Sequence, residues 1–514
     1  TFVFIFDDYG ISWDEPFSRS NGFFSLEYIY SLLGFDFNYE FQNLYSDKKQ
    51  TFKEYNDNFY GVVFDLPLAF IEHIFNVESS RNHYLLRHFF NHIIFLCSIY
   101  YFYLLLRKIY NFELSIIGTS FLIFTPRIFA ESFYNSKDLI FLSLMIISTY
   151  YGFIYLKSKN ILSLLKFAIF SGLATGSRLA GLMIPFFILF FSIINFQEKN
   201  KLDLFKNSVI YIISIIVCVI IFYPYLWQNP LLITDAINKI SNFDWSGSVF
   251  YLGNYEIAKN MPWHYSIITI FATTPLVIVF LFLFGLLLNL TKFTNNFLNI
   301  DKNNTLLWKS DEEIINLLSL LIIFSTLFII IELKSTIYGG WRQIYFIYPS
   351  IIIISIFSLN KIYIYFKKNN NILLLVLLFI FSQIYWIVKN HPYQYIYYNN
   401  LFSKKVNTNF ELDYWGVSNY DILKKLTELK KRKIYKIYIY SISPYSNSLS
   451  LFDEKMSKKF LFTDDINSAE FIVTNHYYQS KNPIVEAKKL QNNFKLLSEI
   501  NTNGIIINSI YEKK

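Results

Sequence analysis

Ten apolar stretches follow one another between residues 84 and 388. They lie at about 84–106, 112–130, 138–156, 161–176, 179–196, 204–224, 264–289, 314–331, 343–359 and 372–388, the fourth being the shortest. A bilayer-spanning helix needs ~20 apolar residues. In lipid no water is left to bond the backbone, so helices are what such stretches must become. The connections add a second constraint. Alternate ones carry Arg107 and Lys108; Lys157 and Lys159; Lys199, Lys201 and Lys206; Lys292, Lys302 and Lys309; and Lys361, Lys367 and Lys368. Excess Lys and Arg marks the cytoplasmic side. The other set is then extracytoplasmic: 7–83, 131–137, 225–263, 332–342 and everything after 389. The two sets alternate without a break. The chain therefore reads as a polytopic α-helical membrane protein. Residues 1–6 are apolar but far too few to cross a bilayer. A first spanning helix is expected upstream, missing or truncated in this sequence, which makes about eleven.

Two segments depart from this pattern. Residues 7–83 are polar and aromatic, with short amphipathic pieces such as 59–75, and read as a large first extracytoplasmic loop on the membrane surface. Residues 389–514 change character again. Ile-, Val- and Tyr-rich stretches at 433–443, 470–474 and 504–511 predict strands, and 421–431 and 483–493 predict helices. The expected division is a membrane-embedded domain over 1–388 and a small extracytoplasmic α/β domain over 389–514. Cys97 and Cys218 both fall inside apolar runs, so no structural disulfide is expected. The net charge of +8 resides in the connections, and no nucleic-acid partner is indicated.

Chemistry has few places to reside in a chain that is 16% charged, yet Asp7, Asp8, Asp14 and Glu15 fall within nine residues. An acidic cluster at the mouth of a helical bundle is costly unless it is used. Asp14 is the expected chemical centre. The alternative is a helix cap, with Asp14 at the N-cap and Pro16 in the first turn. Basic residues on the outer side form the complementary set: Arg19, Arg127, Lys137, Arg178, Lys334 and Arg342. Together they suit an anionic phosphate at the interface, whereas each alone is also suited to snorkelling towards lipid headgroups. Residues 131–138 form a second acidic turn with Glu131 and Asp138, where Asp138 is also a natural N-cap. Residues 172–181 are rich in small side chains, fit close helix packing, and place Arg178 at a break between two short helices. His88 and His92 have the i, i+4 spacing of a zinc pair, but no Glu accompanies them within the helix. No metal site is assigned, no cofactor is expected, and a divalent metal stays open.

At this point the residues resemble a family. Trp13-Asp14-Glu15, at the start of the first outer loop, resembles the Asp-Glu motif of the C-type membrane-embedded glycosyltransferases. These include the protein O-mannosyltransferases and the lipid A aminoarabinose transferases. The Asn135–Asp138 turn, the segment 172–181, Tyr223-Pro224-Tyr225-Leu226-Trp227, His391-Pro392-Tyr393-Gln394-Tyr395 and Glu411-Leu412-Asp413-Tyr414-Trp415-Gly416 are similar to bacterial mannosyltransferase-like members. The resemblance covers most of 7–416 and implies that Asp14, with Glu15 beside it, is the catalytic pair. It also implies that Arg19, Lys137, Arg178 and Arg342 hold the donor phosphate. The aminoarabinose transferases carry an Arg three residues after the Asp; here Phe17 stands there, and the nearest Arg is Arg19. Tyr414 and Trp415 are candidates to stack on substrate.

The implied reaction moves a sugar from a polyprenyl phosphate to a hydroxyl of a protein, lipid or glycan, with inversion. Phosphate departs as an anion, so one carboxylate base suffices, unlike the paired carboxyls of glycosidases. Two other readings stand beside it. One is a lipid-linked sugar transporter or flippase, for which inverted repeats and broken mid-membrane helices would be expected. The other is a non-catalytic membrane scaffold.

Overall fold

The computed structural model of the chain describes residues 2–37, 51–194, 201–241, 245, 247–298, 308–478, 489–490 and 493–514. Helices occupy the described residues of all ten predicted apolar stretches. In chain order α1 (Glu15–Leu32), α2 (Asp65–Ile74), α3 (Ser80–Arg107), α4 (Phe112–Ile123), α5 (Pro126–Tyr134), α6 (Asp138–Ser158), α7 (Ile161–Ser177), α8 (Met183–Ile194) and α9 (Lys201–Ile221) come first. They are followed by helices at Tyr265–Thr273, Leu276–Leu298, Asp311–Glu332, Tyr348–Tyr365 and Asn370–Lys389. Six helices among the described residues are long and apolar enough to cross a membrane, or seven if α4 and α5, bent by 61° at their junction, form one span. The apolar helices of α7, the α8 region and α9 are shorter. Prolines set the breaks, because each removes a donor and clashes with the preceding turn. Pro126 starts α5, and Pro275 separates Tyr265–Thr273 from Leu276–Leu298.

The two charge classes of connection collect at opposite ends of the bundle. At one end Lys157 pairs with Asp311 (2.7 Å), Lys292 with Glu313 (2.8 Å) and Lys361 with Glu312 (3.1 Å). The three acids are the first turn of Asp311–Glu332, where the helix dipole favours them. At the other end Asp14, Lys137, Arg178 and Arg342 converge. Lys199 and Lys302 lie outside the described residues.

The first loop is held by a buried charge clamp. Glu72 of α2 is fully buried. It accepts from Arg19 Nε of α1 (2.9 Å) and from Arg87 Nη2 of α3 (2.8 Å). Ser18 of α1 donates to Asp65 of α2, and Arg87 lies 3.9 Å from the same carboxylate. Charge pairing thus ties α1 and α2 to the first long helix.

Beyond Lys389 the chain builds a five-stranded sheet from β3 (Tyr435–Ile439), β4 (Phe460–Phe462), β5 (Phe471–Thr474), β6 (Phe494–Thr502) and β7 (Ile505–Lys513), in the order β4-β3-β5-β7-β6. β3 runs parallel to β4 and β5; β7 is antiparallel to β5 and β6. The helix Ser418–Leu429 covers it with Ile422, Leu423 and Leu426. Of the helix expected at 483–493, residues 483–488 and 491–492 lie outside the described residues. A hairpin of β1 (Ser248–Tyr251) and β2 (Asn254–Ile257) stands in the 225–263 connection. One apolar core runs through the boundary expected at 389: Tyr9, Phe133 and Tyr134 join Tyr395, Trp415, Ile437, Phe471 and Ile510. Cys97 and Cys218 are free thiols.

Candidate active site

Segments far apart in sequence meet over one end of the bundle. Asp14 occupies the N-cap position of α1, with Pro16 in the first turn, but its side chain makes no capping hydrogen bond. Its Oδ2 instead accepts from Arg342 Nη1 (2.9 Å). The capping alternative therefore describes the position and not the carboxylate. The same Arg342 nitrogen reaches Asp138 Oδ2 (3.2 Å), Nη2 donates to the Tyr414 hydroxyl (3.0 Å), and the guanidinium lies over the Trp415 ring (4.7 Å). Asp138 also pairs with Arg178. The result is a chain Arg178–Asp138–Arg342–Asp14 in which acid and base alternate. Arg178 reaches it because α7 ends at Ser177 and Arg178 is extended before the next helical turn. Lys137, one residue before α6, makes no ion pair among the described residues. Its ammonium sits 3.6 Å from the centroid of the Tyr60 ring. Burial, aided by nearby Arg178, pushes that ammonium down to about 8.

Two cavities open onto this cluster. The larger, about 520 Å³, is a groove with Lys137, Arg178 and Arg342 at its charged end and Leu179, Met183, Ile329, Ile330, Ile337 and Phe346 along its walls. The smaller, about 280 Å³, is a polar and aromatic chamber lined by Trp13, Asp57, Asp65, Tyr134, Tyr414 and Tyr477. Asp14, Tyr60, Gly61, Lys137, Ser177 and Tyr338 line both. Gly61 is needed there: a Cβ would fall on the Gly176 carbonyl at the end of α7. Burial raises the Asp57 carboxyl, against the pull of Lys137.

The other residues singled out from sequence lie elsewhere. Arg19 is not at the cavity; it is half of the Glu72 clamp. Glu15 faces away from its neighbour. It pairs with His88 Nε2 (2.8 Å) and accepts the Ser12 N–H (2.6 Å). His92 bonds Ser132 (2.8 Å) and stacks on Phe133. Glu131 accepts from Tyr345 (2.7 Å) and Asn135 (2.8 Å). It lines a pocket of about 30 Å³ with Arg127, Glu411, Tyr414 and Trp415. Burial pushes Glu411 there up to about 8. Glu15→Gln is expected to lower turnover less than tenfold, because the charge lost holds the start of α1 and does not face the cavity; steady-state rates beside Asp14 variants check this.

Sequence reasoning missed Asp57, Tyr60, Tyr338 and Tyr477. With 41 Tyr and 56 Phe in the chain, an aromatic residue offers no contrast against its background. Asp57 sits in an Asn-rich stretch without apolar periodicity.

Fold and site together define a multi-pass membrane protein whose charged cluster caps an apolar groove at one end of its helices. Residues 68–227 match the family of dolichyl-phosphate-mannose-protein mannosyltransferases. The matched third of the chain contains Lys137, Asp138 and Arg178. The match supports the C-type membrane glycosyltransferase superfamily and, with it, a glycosyltransferase of the mannosyltransferase type. No curated protein matches the chain.

Proposed function

We propose that the protein transfers a sugar from a polyprenyl-phosphate donor to an acceptor hydroxyl, with inversion at the anomeric carbon. One observation carries this reading: a carboxylate and three cations stand where a polar chamber meets an apolar groove. The prenyl chain lies along the groove. Lys137, Arg178 and Arg342 take the phosphate, and the sugar points towards Asp14. The acceptor oxygen attacks as Asp14 removes its proton. The bond from the anomeric carbon to the phosphate oxygen breaks, and the phosphate keeps the electron pair. Cations placed where that charge develops lower the barrier. The family's printed name makes mannose on a lipid phosphate the first donor to test.

The donor phosphodiester does not titrate near neutrality, so the pH dependence of its binding reports the protein. Lys137 is charged below about 8 and neutral above it. Affinity for polyprenyl-phosphate mannose is expected to hold below pH 8 and then fall by up to ~10-fold per pH unit. Lys137→Met is expected to weaken binding and flatten that profile. Binding isotherms between pH 6.5 and 9.5 test this, and an unchanged profile in the variant would remove Lys137 from the phosphate site.

We place the protein in a bacterial inner membrane, with the reaction centre and the C-terminal sheet outside. Support comes from the ion pairs Lys157–Asp311, Lys292–Glu313 and Lys361–Glu312, which gather the Lys-rich connections at the end opposite the cavities. Ser446 is exposed. Ser446→Cys, in a chain with Cys97→Ser, is expected to react with a membrane-impermeant maleimide in intact spheroplasts. Reaction only after lysis would invert the topology.

A further inference from the structure

The chamber on the far side of Asp14 from the groove has its own chemistry. Three rings meet in it. Trp13 and Tyr414 are near-parallel with centroids 6.4 Å apart, and Tyr477 stands edge-on to both, at 6.2 and 5.6 Å. Tyr477 comes from the C-terminal sheet region. β5 ends at Thr474, Asn475 donates to the Asp413 carbonyl (2.8 Å), and His476 takes a left-handed turn (φ 58°) that delivers the next residue to the chamber. A non-glycine residue in that conformation is uncommon. The hydroxyls of Tyr134 and Tyr477, residues 1% and 2% exposed, have no hydrogen-bond partner among the described residues. Asp57 adds a half-buried carboxylate to the same walls.

Ring faces beside unpaired hydroxyls and a carboxylate match a molecule with apolar C–H faces and a rim of hydroxyls. Both tyrosine oxygens are closed off from solvent in the free protein; buried polar groups left unpaired are costly, and a ligand's hydroxyls would pair them once the rings turn towards the chamber. A peptide is read through main-chain hydrogen bonds along a strand or an open groove, whereas this is a bounded chamber walled by side chains. Inversion requires attack from the face opposite the leaving phosphate. With phosphate in the groove, the attacking hydroxyl enters from the chamber. We infer that the chamber is a saccharide subsite, that the acceptor is a carbohydrate, and that Tyr477 is its specificity-determining contact. The acceptor assignment rests on the transferase reading; the subsite does not.

The test uses the purified full chain in two arms. In the first, methyl glycosides and short oligosaccharides are screened for binding by saturation-transfer NMR without donor. In the second, labelled decaprenyl-phosphate mannose is supplied with the same saccharides or with a Ser/Thr peptide. Saccharide binding and saccharide product are expected, without peptide product. Tyr477→Phe keeps the ring and removes the hydroxyl. It is expected to raise the acceptor KM about tenfold while donor Kd moves less than twofold. Tyr477→Ala is expected to raise it further, with a melting curve to confirm folding. Peptide product without saccharide product overturns the inference, as does an acceptor KM unmoved in Tyr477→Phe. Saccharide binding that Tyr477→Phe weakens, with no transfer to any acceptor, upholds the subsite and sinks the transferase reading. Donor binding and cleavage without saccharide binding does the reverse.

Discussion

Asp14→Asn is expected to lower sugar transfer by ~10²–10⁴, the usual loss for a positioned base. The substitution keeps the size and planarity of the side chain and removes only the basicity. Donor affinity is expected to stay level or tighten slightly. In the free protein Asp14 occupies Arg342 at 2.9 Å, so a neutral side chain competes less with an incoming phosphate for that cation. Loss of turnover with donor binding retained also separates the three readings of the sequence. A transporter or a scaffold has no proton to remove at Asp14. Transfer at near wild-type rate in Asp14→Asn would move the base elsewhere, and Asp57, which lines the same chamber, would be examined next.

The second large effect concerns folding. Glu72→Gln leaves the Arg19 and Arg87 guanidiniums facing each other across a neutral amide in a buried setting. Removing one partner of a buried ion pair typically costs about 3–5 kcal/mol. The expected outcome is a markedly lower melting temperature of the detergent-solubilised protein and low recovery. Adding Arg87→Met removes one of the two like charges left facing each other and should restore part of the loss. If Glu72→Gln melts with the parent, the clamp does not hold α1 and α2 on α3. Because Asp14 stands at the head of α1, activity should fall with stability in this variant, and it should return in the double variant.

The helices were legible because lipid imposes one demand on every residue of a span; the ten apolar runs are helical, and six helices among the described residues, or seven with the bent pair, are long and apolar enough to cross a membrane. The grouping of the connections was equally readable, since the Lys- and Arg-rich ones gather at one end of the bundle. Strands were legible only where alternation was clean. β6 escaped because its pairing with β7 shifts register at Leu496/Ser498 and Ile500/Asn501, which breaks the period of two that a reader looks for. The hairpin of β1 and β2 escaped because its turn is Leu252-Gly253, both with positive φ, where Asn-Gly is the usual signal. Within the site, Asp14, Lys137, Arg178 and Arg342 could be chosen because charge is scarce in this chain. That Arg19 belongs to a different partner could not, because Glu72 lies 53 residues on and looks like any acid on an amphipathic helix.

The apolar core that runs from Tyr9 and Phe133 into Phe471 and Ile510 has a consequence for biogenesis. A ribosome delivers the first half of that core, with Asp14 and Lys137, long before the rest. Arg342 follows several helices later, and Tyr477 only when the sheet is nearly complete. The membrane helices must therefore be inserted with that end of the bundle uncovered, and the chamber closes only after residue 477 has been made. A chain interrupted after the final membrane helix would be a fully inserted bundle with an open, greasy top, a substrate for quality-control proteases and no transferase.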